Sequence, residues 1–291
     1  MESAIRKASV LIEALSYIRS FRDKITVIKL GGSAMEDPEA VAATLQDVVF
    51  METVGMRPVL VHGGGKAIDR AMSKAGLVPT KVAGRRYTDD ATLKIVVDTL
   101  LNDINAGLVK QIQDLGGRAV SLHTGGLQVL TGRKLLMADD KGEPIDLGRV
   151  GTVTGVNCDL ITNICKADRV PVIPSLAYDD VGQWLNINAD TAASAVALHL
   201  QAEKFVLMTD TPGILGDRKD HSTLITHLDH AGIEELVASK VIDAGMLPKV
   251  EACLDALRAG VKKTHIIDGR LKHSLLLEIY TDVGVGTEIV L

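Results

Sequence analysis

The chain has 291 residues, of which 24% are charged and 3% aromatic, and its formal net charge at pH 7 is −5. This length allows one large core or two lobes that share a sheet, whereas the acidic balance and the few aromatic residues argue against nucleic-acid binding. No apolar run approaches the roughly 20 residues of a membrane helix, so we expect a cytoplasmic protein with no membrane association. The three cysteines lack the paired spacing of a zinc site, so we expect buried, reduced thiols.

Helical and strand-like patterns alternate along most of the chain. An amphipathic helix is predicted over residues 3–22, because apolar side chains recur there at helical spacing. A further helix is predicted to begin at Asp37-Pro38-Glu39. Strand-like apolar runs occupy residues 27–30, 58–61, 119–122, 170–173, 204–208 and 263–267. Helical patterns lie between most of these runs, for example at 88–115, 190–200 and 248–259, and this alternation indicates an α/β protein.

The middle of the chain has a different pattern. Residues 127–130, 134–137 and 151–156 are short and β-rich, and glycine and proline separate them, so we interpret them as hairpins carried on the main sheet. The stretch 177–182 is rich in Asp and Gly and is the best candidate for a hinge. It divides the chain into an N-terminal helix at 1–24, an N-terminal lobe at 25–178 and a C-terminal lobe at 179–291.

Two glycine-rich loops follow the first two strands. The first contains Lys29, Gly31 and Gly32, and the second contains the run 63–65. Consecutive glycines cost backbone entropy, which the close approach of a ligand would explain, and a lysine at the end of an apolar strand is costly to bury unless it meets an anion. These loops therefore predict a phosphate site, although Gly31 and Gly32 could also form an ordinary turn. Neither loop has the spacing of a dinucleotide-binding or P-loop motif.

Three further groups of residues carry candidate chemistry. Arg86 precedes a predicted helix and offers two parallel donors to a small carboxylate. Asn186, Asn188 and Asp190 alternate with apolar residues, so we expect them to share one face of a strand, although Asp190 could instead cap the following helix. Lys249 lies at a helix start, where the helix dipole disfavours a cation unless an anionic ligand is present.

Taken in chain order, these motifs resemble the amino-acid kinase family, and within it the enzymes that phosphorylate N-acetyl-L-glutamate. The resemblance covers nearly the whole chain and includes Lys29-Leu-Gly-Gly, His62-Gly-Gly-Gly, Gly84-Arg-Arg-Tyr-Thr-Asp, Asn186-Ile-Asn-Ala-Asp, Thr209-Asp-Thr-Pro-Gly-Ile-Leu and Gly245-Met-Leu-Pro-Lys. It implies a three-layer αβα sandwich around a mainly parallel sheet of about eight strands. The N-terminal lobe would bind the acyl-amino acid and the C-terminal lobe would bind ATP.

The resemblance also implies a role for each site residue. Lys29 and Lys249 would flank the transferred phosphoryl group, and Asp190 would hold both ammonium groups. The substrate-binding residues would be Gly64, Gly65, Arg86, Asn186 and Asn188. The nucleotide-binding residues would be Gly31, Gly32, Thr209, Asp210 and Lys249. Mg²⁺ would be carried on the ATP phosphates, with no metal site built from protein side chains.

Both chain ends resemble the arginine-inhibited members of the family. In those enzymes the N-terminal helix joins dimers into a hexamer, so we expect a homohexamer built as a trimer of dimers. The expected arginine site contains Tyr17, Lys204, Glu278, Gly284 and Gly286. A PII-type signalling protein is a further possible partner. The alternatives are a sibling kinase acting on N-acetylaminoadipate or another acidic amino acid, a non-catalytic arginine sensor, and terminal helices that only pack on their own lobe.

Overall fold

A computed structural model describes residues 2–82, 84–124, 126–139, 141–242, 245–280 and 284–291. The α-helices of these ranges are α1 (Glu2–Phe21), α2 (Pro38–Thr53), α3 (Gly65–Lys74), α4 (Asp90–Asp98), α5 (Ala106–Asp114), α6 (Cys158–Lys166), α7 (Ala189–His199), α8 (His230–Ala238), α9 (Leu247–Arg258) and α10 (Ser274–Tyr280). A 3₁₀-helix covers Gly32–Glu36 and a π-helix covers Thr99–Asn105.

The strands are β1 (Ile25–Leu30), β2 (Arg57–His62), β3 (Lys81–Val82), β4 (Arg85–Arg86), β5 (Ala119–Ser121), β6 (Leu130–Lys134), β7 (Met137–Ala138), β8 (Pro144–Ile145), β9 (Val150–Val156), β10 (Val170–Pro174), β11 (Leu176–Tyr178), β12 (Trp184–Ile187), β13 (Lys204–Thr209), β14 (Ile214–Asp217), β15 (Asp220–Ile225), β16 (His227–Leu228), β17 (Lys263–Asp268) and β18 (Thr287–Ile289). The helix predicted to begin at Asp37-Pro38 is α2, and the Asp37 carboxylate caps it by accepting from the Glu39 and Ala40 amides.

The central sheet has eight strands in the order β16-β18-β17-β13-β1-β2-β10-β5. Six of them are parallel, and β18 and β16 run in the opposite direction. Neighbouring residues of β1 belong to different cores, with Val27 in one cluster and Ile28 in the other. Helices α6, α7 and α9 cover the first face and α2, α5 and α10 cover the second, so the strands are apolar on both faces. The predicted αβα sandwich with a mainly parallel sheet of about eight strands is confirmed.

The prediction that the middle hairpins are carried on the main sheet is wrong. Strands β6, β9, β11 and β12 form their own small closed barrel, and β7 pairs with β8 in a separate two-stranded sheet. The barrel closes tightly because glycines occupy its interior: a Cβ on Gly132 would lie 2.6 Å from the Thr152 carbonyl oxygen. Residues 177–182 lie in β11 and the turn after it, and the lobe boundary there stays a prediction.

The helix predicted over 88–115 forms as α4, the π-helix and α5 in succession. The π-helix ends at Asn105, whose buried side-chain amide donates to the Val172 carbonyl oxygen at 3.0 Å and lies 3.0 Å from His62 Nε2. Leu100 and Ile104 of the same segment pack under the second glycine loop. The π-helix, a local change of helical pitch, therefore lies directly beneath the second glycine loop.

Three findings bear on the composition-based predictions. Cys165 and Cys253 are buried free thiols, and burial raises the pKa of each to about 12, whereas Cys158 is only half-buried. No helix in the described part of the chain is long and apolar enough to cross a bilayer. Within the same ranges, no three His, Cys, Asp or Glu side chains are grouped so that they could hold a metal ion.

Candidate active site

The two glycine loops lie side by side at one edge of the central sheet. Strands β1 and β2 are parallel neighbours with Leu30 opposite His62, and the Gly63 amide donates to the Leu30 carbonyl oxygen at 3.1 Å. The 3₁₀-helix and α3 begin immediately after these loops. Both loops line a first cavity of about 270 Å³, so the first turns of two helices lie beside one cavity.

Crowding explains two of the glycines. The Gly31 backbone is extended, with φ −175°, and it would suit any residue. The Lys29 side chain folds back over Gly31, however, and a Cβ there would lie 2.5 Å from Lys29 Nζ. At Gly64 a Cβ would lie 2.5 Å from Ile104 Cδ1. Gly32 differs from both, because its φ of +70° favours glycine for conformational reasons.

Asp190 joins the two lysines. Its Oδ1 lies 2.8 Å from Lys29 Nζ and its Oδ2 lies 3.1 Å from Lys249 Nζ. The Asp190 side chain is 9% exposed and that of Lys29 is 7% exposed, so this cluster is largely shielded from water. Burial alone would raise the pKa of Asp190, but the charges and hydrogen bonds of Lys29 and Lys249 lower it to about 2. Two cations and one anion leave this cluster with a net charge of +1, which suits an anionic ligand.

The expectation that Asn186, Asn188 and Asp190 share a strand face is wrong. Strand β12 ends at Ile187, and Asn188 caps α7 by accepting from the Asp190 and Thr191 amides at 2.9 and 3.1 Å. Asp190 therefore lies in the first turn of α7 and is not the cap. The strand is short because Asn188 takes up the helix capping role, for which its side chain is well suited. All three side chains nevertheless belong to residues that line the first cavity.

The other predicted substrate residues line the same cavity. Arg86 donates to the Gly65 carbonyl oxygen at 3.1 Å and pairs with Asp69 at 2.5 Å. Asn186 Nδ2 donates to Thr88 Oγ1 at 3.1 Å. Gly64 and Gly65 line this cavity as well. The predicted substrate set is thus brought together in one place.

The predicted nucleotide residues are divided between two cavities. Gly31 and Gly32 line the first, whereas Asp210 lines a second cavity of about 390 Å³ together with Arg218, His221 and Arg270. Thr209 is buried beside Asp210, with the two side-chain oxygens 3.3 Å apart. None of these three basic residues is assigned to the nucleotide site from the sequence, because Arg270 follows β17 whereas Arg218 and His221 belong to the β14–β15 hairpin, and only the fold brings the two segments to one cavity.

Helix α9 connects the two cavities. Met246, immediately before the helix, lines the second cavity, and Lys249 reaches Asp190 at the first. In the first turn of a helix the dipole disfavours a cation, and Asp190 offsets this cost. The start of α9 thus brings Met246 to the second cavity and the Lys249 ammonium to Asp190, which lines the first.

His62 has a structural role in the second loop. It is fully buried, and burial lowers its pKa to about 4. The neutral ring donates from Nδ1 to the Gly63 carbonyl oxygen at 3.2 Å and accepts at Nε2 from Asn105 Nδ2 at 3.0 Å. Both ring nitrogens are thus engaged in hydrogen bonds that hold the loop. Neither nitrogen is available to exchange a proton with a ligand.

The five predicted effector residues line a third cavity of about 380 Å³. Glu278 Oε2 accepts from the Val285 and Gly286 amides at 2.7 and 3.1 Å, and Glu278 Oε1 accepts from His265 Nδ1 at 2.7 Å. Burial raises the pKa of Glu278, but these hydrogen bonds and the charge of the neighbouring ring outweigh it and lower the pKa. An anionic carboxylate therefore lies at this cavity.

Replacing Gly31 by alanine is expected to lower kcat about 100-fold while the protein stays folded. The new Cβ would occupy the space of Lys29 Nζ, so the ammonium group has to leave Asp190. Gly107→Ala is the matched control, because no atom lies within 4 Å of a Cβ there. The steady-state activity of both variants should be measured, together with their melting temperatures followed by far-UV circular dichroism. Full activity in Gly31→Ala would contradict this prediction.

The fold and the site together define the class of protein. The model of the Amino acid kinase family matches residues 24–268. This chain belongs to the amino acid kinase family. Among its curated relatives, the acetylglutamate kinase of Acaryochloris marina is 46% identical over 289 residues, which are 99% of each chain. The acetylglutamate kinase of Akkermansia muciniphila is 43% identical over 287 residues, which cover 98% of this chain and 96% of the relative.

Solved structures share the fold at lower identity. N-acetylglutamate synthase from Neisseria gonorrhoeae, complexed with coenzyme A and N-acetyl-glutamate, matches with a TM-score of 0.85 and 24% identity. That match covers 98% of this chain but only 63% of the synthase chain. Carbamate kinase from Giardia lamblia bound to AMP-PNP matches with a TM-score of 0.63 and 17% identity, over 92% of this chain and 98% of that one. These two structures show the fold alone.

Proposed function

We propose that this chain transfers the γ-phosphoryl group of ATP to the γ-carboxylate of N-acetyl-L-glutamate, giving N-acetyl-L-glutamyl 5-phosphate and ADP, the second step of arginine biosynthesis. The observation that carries the proposal is the pairing of Asp190 with Lys29 and Lys249 at the first cavity, which the two glycine loops also line. The curated relatives, at 43–46% identity over nearly the whole chain, are acetylglutamate kinases and support the same reaction.

The proposed chemistry needs no general base. A glutamate γ-carboxyl group has a pKa of about 4.3, so the nucleophile is already ionised at neutral pH. The difficulty is to bring this anion close to the phosphates of ATP. Lys29 and Lys249 would neutralise charge on the phosphoryl group from two sides, and the loop amides at Gly31, Gly32 and Gly65 would donate hydrogen bonds to it.

ATP would occupy the second cavity with its phosphates directed toward the lysines. Asp210 and the basic side chains of Arg218 and Arg270 lie at this cavity. Mg²⁺ would be bound to the phosphates, where it supplies further neutralisation of their charge. Arg86 and Asn186, at the first cavity, would bind the α-carboxylate and the acetamido group. In this arrangement residues 25–178 bind the acyl-amino acid and residues 179–291 bind ATP.

ATP-dependent formation of an acyl-hydroxamate tests the reaction directly. Hydroxylamine traps the acyl phosphate, and the panel contains N-acetyl-L-glutamate, N-acetyl-L-aminoadipate, L-glutamate, L-aspartate and carbamate. We expect product with N-acetyl-L-glutamate in clear excess over the others. Product mainly with N-acetyl-L-aminoadipate would favour the sibling kinase, and no product with any compound would favour a non-catalytic sensor.

We further propose that arginine inhibits the enzyme by binding in the third cavity. The support is the Glu278 carboxylate at a cavity that Tyr17 and Lys204 also line, because a carboxylate can pair with a guanidinium group through two parallel hydrogen bonds. A homohexamer belongs to the same proposal, since α1 exposes Ile5, Val10 and Ile12 to solvent. Binding of a PII-type signalling protein and a cytoplasmic location rest on the family resemblance alone.

Inhibition at millimolar arginine is the expected result for the unmodified protein. Glu278→Gln removes the anionic charge and keeps the shape, so it should weaken inhibition at least about tenfold and leave activity without arginine unchanged. Light scattering should give the mass of six chains, and Ile12→Glu should reduce that mass. Activity that does not change with arginine, or a wild-type particle of two chains, would contradict these proposals.

A further inference from the structure

Thr88 is a buried residue that hydrogen-bonds to two residues of the first cavity, Arg86 and Asn186, and the proposed reaction does not yet explain these contacts. Its side chain is fully buried between Arg86 and Asn186, the two residues proposed to bind the acyl-amino acid. The hydroxyl group lies 3.0 Å from the Arg86 carbonyl oxygen and 3.1 Å from Asn186 Nδ2. One hydroxyl thus contacts both substrate residues.

The chemistry of these contacts fixes the orientation of the Asn186 amide. A carbonyl oxygen can only accept, so the single hydroxyl proton of Thr88 is donated to Arg86. The hydroxyl oxygen can then only accept from Asn186, which places Nδ2 of the amide toward Thr88. Asn186 lines the first cavity, so its Oδ1 and its second N–H can meet a ligand there.

The position of Thr88 is itself fixed by its backbone. Its amide donates to the Leu147 carbonyl oxygen at 3.2 Å, and its carbonyl oxygen accepts from the Arg149 amide at 2.6 Å. The Arg149 carbonyl oxygen in turn accepts from the Asn186 amide at 2.9 Å. Gly148 makes this close approach possible, because a Cβ there would lie 2.2 Å from the Thr88 carbonyl oxygen. The backbones of Thr88 and Asn186 are therefore both hydrogen-bonded to the same short segment, residues 147–149.

We infer that Thr88 is a positioning residue for acyl-amino-acid binding. Its hydroxyl group holds the Asn186 amide with Oδ1 toward the cavity, where it accepts from the N–H of the acylated amine. Thr88 also ties this amide to the main chain of Arg86, the proposed carboxylate-binding residue. This inference rests on the proposed function and adds a residue that determines how tightly its substrate binds.

Thr88→Val removes the hydroxyl group and keeps the side-chain shape, whereas Thr88→Ser keeps the hydroxyl group. We expect Thr88→Val to raise both the Kd of N-acetyl-L-glutamate, measured by calorimetry, and its KM roughly tenfold. The KM for ATP and kcat should change less than about twofold, because the ATP cavity and the lysines are untouched. Thr88→Ser should bind N-acetyl-L-glutamate like the wild type. If Thr88→Val loses its melting transition, Thr88→Ala is measured in its place with the same expectation.

A double-mutant cycle separates action through Asn186 from a general structural effect. If Thr88 acts by holding Asn186, Thr88→Val should add little to the loss that Asn186→Ala causes alone. Additive losses, wild-type binding by Thr88→Val, or equal losses in Thr88→Val and Thr88→Ser would each overturn the inference. Failure of the proposed function would look different, because the wild-type protein itself would then neither bind nor phosphorylate N-acetyl-L-glutamate.

Discussion

Replacement of Lys29 by methionine is expected to lower kcat by about 10² to 10³ and to change the KM of either substrate by less than about threefold. Methionine keeps most of the side-chain volume over Gly31 but has no charge to neutralise the phosphoryl group in transfer. A charge that matters mainly in the transition state affects kcat, whereas a charge that only binds substrate affects KM. Lys249→Met should behave in the same way.

The control for Lys29→Met is Lys110→Met. Lys110 is 73% exposed and pairs with Asp114 on the surface of α5, and we expect its replacement to leave kcat unchanged. Steady-state kinetics with each substrate varied in turn would measure these values. An increase in KM with unchanged kcat in Lys29→Met would show that Lys29 only binds substrate and would contradict its proposed role.

Asp190→Asn is expected to reduce both stability and activity. The substitution leaves Lys29 and Lys249 in a shielded site without their counter-ion, and breaking such a buried pair typically costs about 3–5 kcal/mol. The two ammonium groups should then separate, with a fall in kcat of about 100-fold or more. The exposed pair gives the matched control, since Asp114→Asn should cost less than about 1 kcal/mol. Equal urea midpoints for wild type and Asp190→Asn would contradict the prediction.

The same pair predicts how stability changes with pH. The pKa of Asp190 is 3.8 without its surroundings and about 2 in the folded protein, which corresponds to about 2 kcal/mol. Because the folded pKa is the lower one, this contribution is complete above about pH 5 and is lost as the pH falls toward 2. The difference in unfolding free energy between wild type and Asp190→Asn should therefore shrink between pH 5 and about pH 2. A difference independent of pH would exclude this linkage.

The sequence predicts which residues meet at the edge of the sheet better than it predicts how they are arranged there. The apolar runs that end at Leu30 and His62 place two glycine loops together, since parallel neighbouring strands end at the same side. The unfavourable placement of Lys249 at a helix start predicts an anionic ligand; the structure shows the Asp190 carboxylate beside Lys249, and the ligand stays a prediction. Local physical costs in the sequence are thus good indicators of partners that lie far away along the chain.

The remaining features depend on contacts that no local pattern encodes. Alternation alone extends β12 through Asn188, but capping of α7 ends the strand at Ile187. The middle strands have the composition of hairpins, and only their mutual pairing shows that they close into a barrel. Thr88 belongs to a motif noted in the sequence, yet its role depends on Asn186, which lies 98 positions further along the chain.

The glycines at positions 31 and 64 bear on how natural variants of this protein should be interpreted. A rule based on backbone conformation would class alanine as harmless at both positions, because neither glycine has a positive φ. The space for a methyl group is taken at Gly31 by the Lys29 ammonium and at Gly64 by the Ile104 and Leu100 side chains. Gly31→Ala is expected to give a folded protein of low activity, and Gly64→Ala is expected to shift the packing beneath the loop. A screen that measures only the amount of soluble protein would therefore miss the loss of activity in Gly31→Ala.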